Sequence, residues 1–205
     1  MADVSSGIEE YSLEEMILEI KDTSELMVDL AYSSLLYNNR EIAEEVFILQ
    51  ERMEELGDEV QRSAIQEVLK DGDTYKALQI IKMVHSVQEI SYAATKIAGV
   101  VRFELPTHPV VQLSLRESEV IITSAMVDES SDLADTTLGA IKLATNTGMR
   151  VIAIKRGRKY IYGPDMNSSI KAGDLLFASG PEDGEEYFRD LAEGNEHLTP
   201  KDLQE

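Results

Sequence analysis

Leu105-Pro106-Thr107-His108-Pro109 divides this sequence into two unlike halves. Two prolines in five residues stop any helix entering from the N-terminal side. Between Ser12 and Leu105 there is no proline and little glycine, a composition suited to long helices. After Pro109 come Val/Ile runs and glycine-containing turns, which read as a mixed α+β segment. The break therefore predicts a boundary at 105–111, with a helical domain over 8–105, an α+β domain over 111–194 and a polar tail over 195–205.

Working outward toward the N-terminus, three helices are predicted. The first runs from Ser12 to Tyr37, with Ser12 and Glu15 in capping-box spacing. Asn38-Asn39 marks a turn, the second helix covers Arg40 to Lys70, and Asp71-Gly72-Asp73 marks the next turn. Asp73 caps a third helix that ends near Glu104. Ile42, Val46, Leu49, Met53, Leu56 and Val60 step by four and three, as do Ile80, Met83, Val87, Ile90, Ala94, Ile97 and Val101. Such stripes predict an all-α antiparallel bundle of three long helices crossing at about 20°. Three slender helices enclose little interior, so a second copy completing a larger bundle is expected.

Working outward toward the C-terminus, the order is β-α-β-β-β-α. Strands are predicted at Glu119–Ala125 and Arg150–Arg156, and Gly157-Arg158 turns the second into Lys159–Tyr162. Ser130-Ser131-Asp132 is expected to cap a helix carrying Leu138, Ile141 and Leu143 as far as Gly148. Gly173-Asp174 leads into Leu175–Ser179, and a short helix covers Glu182 to Glu193. Simple alternation along 150–156 places Ile152, Ile154 and Arg156 on one face and Val151, Ala153 and Lys155 on the other.

The chain has 205 residues with 19 basic and 39 acidic side chains, a formal net charge of −20. An acidic surface repels phosphate backbones and anionic lipid, so no nucleic-acid partner and no direct membrane insertion are expected. With 43% hydrophobic residues the chain can build a packed core. Absence of cysteine excludes disulfides, thiolate metal sites and a Cys nucleophile. The first ten residues lack the pattern of a secretory signal, and charges interrupt every apolar run before about 18 residues. The expected location is the cytoplasm, with any attachment to the membrane's inner face made through a protein partner.

Val127-Asp128-Glu129-Ser130-Ser131-Asp132-Leu133-Ala134, Thr137-Leu138, Gly148 to Gly157 and Ile170 to Leu176 resemble, in order and spacing, the RCK C-terminal (TrkA-C) domain. That resemblance covers about 113–193 and implies a ligand-sensing regulatory module of potassium and other ion transport systems. It also implies that small ligands, cyclic dinucleotides in some members, bind between two copies of the domain. Residues 12–104 resemble one three-helix unit of the PhoU domain, a family of phosphate-transport and signalling regulators. Its metal-gathering Glu-x-x-x-Asp signature is met by Glu54 and Asp58, whereas the matching positions on the third helix are Gln88 and Tyr92.

Charge patterning supplies the other candidates. No acidic residue occurs between Asp135 and Asp165, a window holding Lys142, Arg150, Lys155, Arg156, Arg158 and Lys159. Arginine offers forked hydrogen bonds to phosphate, so a small anion, for which the resemblance implies a cyclic dinucleotide in some members, is expected at Ile154, Arg156, Arg158 and Pro164. Glu54 and Asp58 lie one helical turn apart and are the candidates for a divalent metal. No nucleophile–base pair and no phosphate-binding glycine loop is present, so neither catalysis nor a Rossmann-type nucleotide site is expected. The expectation is a cytoplasmic sensor, homodimeric or larger, in which ligand at a C-terminal domain interface shifts the subunits and so regulates a membrane potassium or other cation transporter or channel. The alternative is a PhoU-type metal-binding adaptor in phosphate transport or signalling.

Overall fold

The computed structural model describes residues 12–106 and 120–198. The expected domain limits at 8 and 111, and the last part of the expected tail, lie outside the described residues.

Three antiparallel helices form the first layer. Helix α1, Leu13–Tyr37, opens with the predicted capping box, in which the Ser12 hydroxyl accepts from the Glu15 amide while the Glu15 carboxylate accepts from the Ser12 amide. Helix α2, Arg40–Asp71, is capped by Asn39 and closed by Gly72 at φ 77°, a left-handed conformation that glycine adopts without a Cβ clash. Helix α3, Thr74–Arg102, is capped by Asp73, whose carboxylate accepts from the Tyr75 and Lys76 amides. On α2 the predicted stripe of Ile42, Val46, Leu49, Met53, Leu56 and Val60 is fully buried.

Helix α3 follows its predicted stripe only in part. Ala94 and Val101 are buried and Ile80, Val87 and Ile97 pack against the core, but Met83 and Ile90 are 42% and 50% exposed, and Ala77, Val84, Ser91 and Ala98 are buried beside the stripe. At Gly57 on α2 a Cβ would meet the amide end of the Gln88 side chain of α3, which would have to move aside.

The second layer is an antiparallel sheet in the order β1-β6-β3-β4, built from β1 (Val120–Met126), β3 (Arg150–Arg156), β4 (Lys159–Tyr162) and β6 (Leu175–Pro181). Gly157 at φ 62° makes the predicted turn between β3 and β4. The expected helix after Ser130 does not form there. Two-residue strands β2 (Thr136–Thr137) and β5 (Ser169–Ile170) pair instead. Helices α4 (Leu138–Ile141) and α5 (Leu143–Thr147) follow, broken by Lys142 at φ 46°. Thr137 caps α4, and Ser131 is turned inward, donating to the Leu191 carbonyl and accepting from the Leu133 amide. Helix α6, Glu185–Glu193, packs its buried Phe188 and Leu191 under the sheet.

The sheet is buried on both faces. Ile121, Val151, Ile154, Leu176 and Ala178 face α6, whereas Ile122, Ala153, Tyr160, Tyr162 and Phe177 join the core of the helical layer. A bulge between Val151 and Ala153 breaks the expected alternation along β3. Beyond it Lys155 points to the helices and Arg156 to the opposite face.

Candidate functional site

Three basic residues of β3 and its hairpin, Lys155, Arg156 and Arg158, each face a carboxylate. Lys155 donates to both oxygens of Glu45 on α2, each at 2.8 Å, and the Tyr160 hydroxyl donates to the same carboxylate. Glu45 is only 6% exposed, so this charge would be costly without its two donors. Desolvation, followed by the hydrogen bond to Glu45 and then its charge, pushes the Tyr160 phenol well above its ordinary range. Tyr162 stacks on Tyr160 and shares a 2.8 Å hydrogen bond with Thr23 of α1. The Ser33 hydroxyl of α1 bonds both the amide and the carbonyl of Ile122 on edge strand β1.

On the other face Arg156 makes a forked contact to the buried Asp174, at 2.8 and 2.7 Å, and donates to the Ser169 carbonyl at 2.9 Å. Asp174 also accepts from the Lys171 amide, which fixes the turn into β6. At the hairpin tip Arg158 is 90% exposed in its side chain and lies 3.4 Å from Glu55 of α2.

The other end of β3 is different. Lys142, Arg150, Pro164, Asp165, Val151 and Met166 line a largely apolar depression of about 420 Å³. Neither Lys142 nor Arg150 has an ion-pair partner among the described residues. Lys142 reaches this rim from a left-handed backbone conformation that a residue with a Cβ adopts at a cost of about 1 kcal/mol or more. Apolar walls with two cations outnumbering the one carboxylate, Asp165, which is occupied by hydrogen bonds from Ser168 and the Asn167 amide, suit a planar group bearing phosphate.

The four expected ligand residues are therefore not gathered in one place. Pro164 lines the depression, Ile154 is fully buried in the core, Arg156 is held by Asp174, and Arg158 stands about 20 Å along the strand from the depression. Lys142 and Arg150 belonged to the acid-free window, which was the signal for them. Choosing among its six cations requires knowing that Glu45, Asp174 and Glu55 engage three of them, and those contacts are long-range. Glu54 and Asp58 lie on the exposed side of α2, where Glu54 accepts from Gln50. Among the described residues no group of three or more His, Asp or Glu side chains converges on a common point. No helix among them is long and apolar enough to cross a membrane.

Residues 122–193 match the TrkA-C domain family and residues 17–101 match the PhoU domain family. Ktr system potassium uptake protein A of Vibrio alginolyticus is 38% identical over 53 residues, which is 26% of this chain and 24% of that protein. The chain thus spans about a quarter of the length of the curated relative it matches. The RCK_C domain dimer of S. agalactiae BusR in complex with c-di-AMP is 25% identical, covering 38% of this chain and 95% of that one, with a TM-score of 0.35. Longer BusR, in complex with its busAB-promotor DNA, is 20% identical over 64% of each chain, also at 0.35. This second complex corrects the expectation of no nucleic-acid partner. Net charge averages over a whole chain, whereas contact with DNA is made by a local surface.

Proposed function

We propose that this chain, a PhoU domain joined to a TrkA-C domain, is a ligand-sensing regulatory unit of a membrane cation transport system, potassium being the favoured ion. It works in the cytoplasm and catalyses no reaction; transport resides in a partner polypeptide. The ligand is a small anion of the cyclic-dinucleotide kind, bound by the TrkA-C domain where two copies meet. Bound ligand favours one arrangement of the two copies over another only to the extent that it binds that arrangement more tightly. The helical domain passes the change on, because Lys155, Tyr160 and Tyr162 tie the sensor sheet to α1 and α2.

The observation that carries this reading is the apolar depression whose two cations, Lys142 and Arg150, lack ion-pair partners among the described residues. Pro164 contributes to its wall, and Arg156 and Ile154 brace the strand beside it. Isothermal titration calorimetry of the full chain with c-di-AMP, and separately with inorganic phosphate, tests it. One c-di-AMP per two chains is expected, weakened at least tenfold in Lys142→Gln/Arg150→Gln and less than threefold in Arg158→Ala. Unchanged binding in the double variant removes the ligand from this depression. Silence toward both probes removes the sensing role.

A further inference from the structure

The loop that walls the depression also leads to the helical layer. Residues 165–168 form a tight turn closed by its own hydrogen bonds. The Asp165 carboxylate accepts from the Asn167 amide and the Ser168 hydroxyl, and the Ser168 amide donates to the Asp165 carbonyl. Helix α4 clamps this turn. The Leu138 amide donates to the Ser168 carbonyl at 3.1 Å, and the Gly139 amide to the Met166 carbonyl at 2.8 Å. A Cβ on Gly139 would stand 2.8 Å from that carbonyl oxygen and 2.9 Å from the Met166 Cβ, so a side chain there forces the two apart. Turn and helix start are therefore held as one body.

Three residues join that body to α1. Pro164 lines the depression, and its ring fixes φ. Gly163, at φ 52°, turns the chain and donates its amide to the carbonyl of Ile152, in the bulge of β3, at 3.0 Å. Tyr162 shares its 2.8 Å hydrogen bond with Thr23, a fully buried side chain of α1. Tyr162 and Gly163 also wall a second depression of about 240 Å³, whose other side is α1 at Asp22, Glu25, Leu26 and Asp29. One corner of the chain, Tyr162-Gly163-Pro164, is thus common to both depressions, and two Cα steps leave at most about 7 Å between its ends.

We infer that this corner carries occupancy of the first depression to helix α1, with Tyr162 as a positioning residue that does not line the depression and acts through Thr23. The inference rests on the ligand reading proposed above for that depression. An anion drawn between Lys142 and Arg150 presses on the wall formed by Pro164 and Met166. The clamped turn shifts as a unit, and the shift reaches α1 because the Tyr162 hydroxyl cannot leave Thr23 without orphaning a buried polar group. Close-packed contacts transmit such strain instead of absorbing it. Tyr160 ends on Glu45 of α2 instead, so α1 is the first helix the corner reaches.

Gly139→Ala displaces the turn with no ligand present, which tests the corner apart from the ligand reading. In amide hydrogen exchange of the full chain, peptides within 19–30 should change at least about twofold in Gly139→Ala, and the change should vanish when Tyr162→Phe or Thr23→Val is added. Pro164→Gly, which loosens the corner and adds no bulk, should alter the same peptides under the same condition. In a second arm, saturating c-di-AMP should change 19–30 in the wild-type chain, whereas Tyr162→Phe should bind it within about threefold and leave α1 unchanged. Failure of c-di-AMP to bind overturns the ligand reading, and the Gly139→Ala and Pro164→Gly comparisons still decide the corner. An α1 response that survives loss of the Tyr162–Thr23 bond, or none in either substituted chain, overturns the inference.

Discussion

Glu45, Lys155 and Tyr160 show how a single buried carboxylate can specify an interface. Removing only the cation leaves Glu45 charged and almost fully buried, so Lys155→Met should lower unfolding stability in urea by about 3 kcal/mol. Replacing both partners with apolar groups, as Glu45→Leu/Lys155→Met, should recover to within about 1 kcal/mol of wild type, because the cost lies in the orphaned charge. A different sign applies to Asp29 on α1. Desolvation first, and the Glu25 charge second, raise its carboxyl above the ordinary value of 3.8. The native state therefore holds that proton more tightly than the unfolded chain, and its contribution falls as pH rises from about 3.8 through the folded value. Asp29→Asn should melt higher than wild type at pH 7, and the gap should close below about pH 3.5, where both side chains are neutral.

At the scale of elements, the segment between β1 and β3 departs most from what its residues suggested. Ser130-Ser131-Asp132 looks like a helix cap, but the Ser131 hydroxyl bonds across sixty residues to Leu191. Ser131→Ala should cost about 1–2 kcal/mol by thermal or urea unfolding, more than a surface cap would lose, because both partners are buried backbone groups. Lys142 breaks α4 from α5 in a left-handed conformation. Lys142→Gly should therefore raise stability by up to about 1 kcal/mol. In calorimetry the same substitution should lower affinity for an anionic ligand, separating a binding role from a structural one. The bulge in β3 acts similarly on the whole strand. One extra residue switches which side chains face the helices, sending Lys155 to Glu45 and Arg156 to Asp174.

At the scale of the molecule, helices and sheet share one core, with Ala153 and Phe177 of the sheet buried among residues of α1, α2 and α3. The chain should therefore unfold as one unit. Far-ultraviolet circular dichroism, dominated by the helices, and tyrosine fluorescence, which includes Tyr160 and Tyr162, should give coincident transitions. Two separated transitions would show that the layers are stable apart. The boundaries of the three helices, the hairpin at Gly157 and the two domain families were readable from sequence because each rests on local information. Caps, glycine turns and seven-residue spacing act within a few neighbours. The face that α3 turns inward was readable in part: Ala94 and Val101 of the predicted stripe are buried, whereas Met83 and Ile90, as apolar as any core residue, are exposed while Ala77, Val84, Ser91 and Ala98 are buried. The candidate site divides in the same way. A window free of acidic residues marks six cations by sequence alone. That Lys155, Arg158 and Arg156 are engaged depends on Glu45, Glu55 and Asp174, brought to the strand from elsewhere by packing. Charge pairing at long sequence separation is a property of the folded chain, because only tertiary contact brings the partners within reach of each other and out of water.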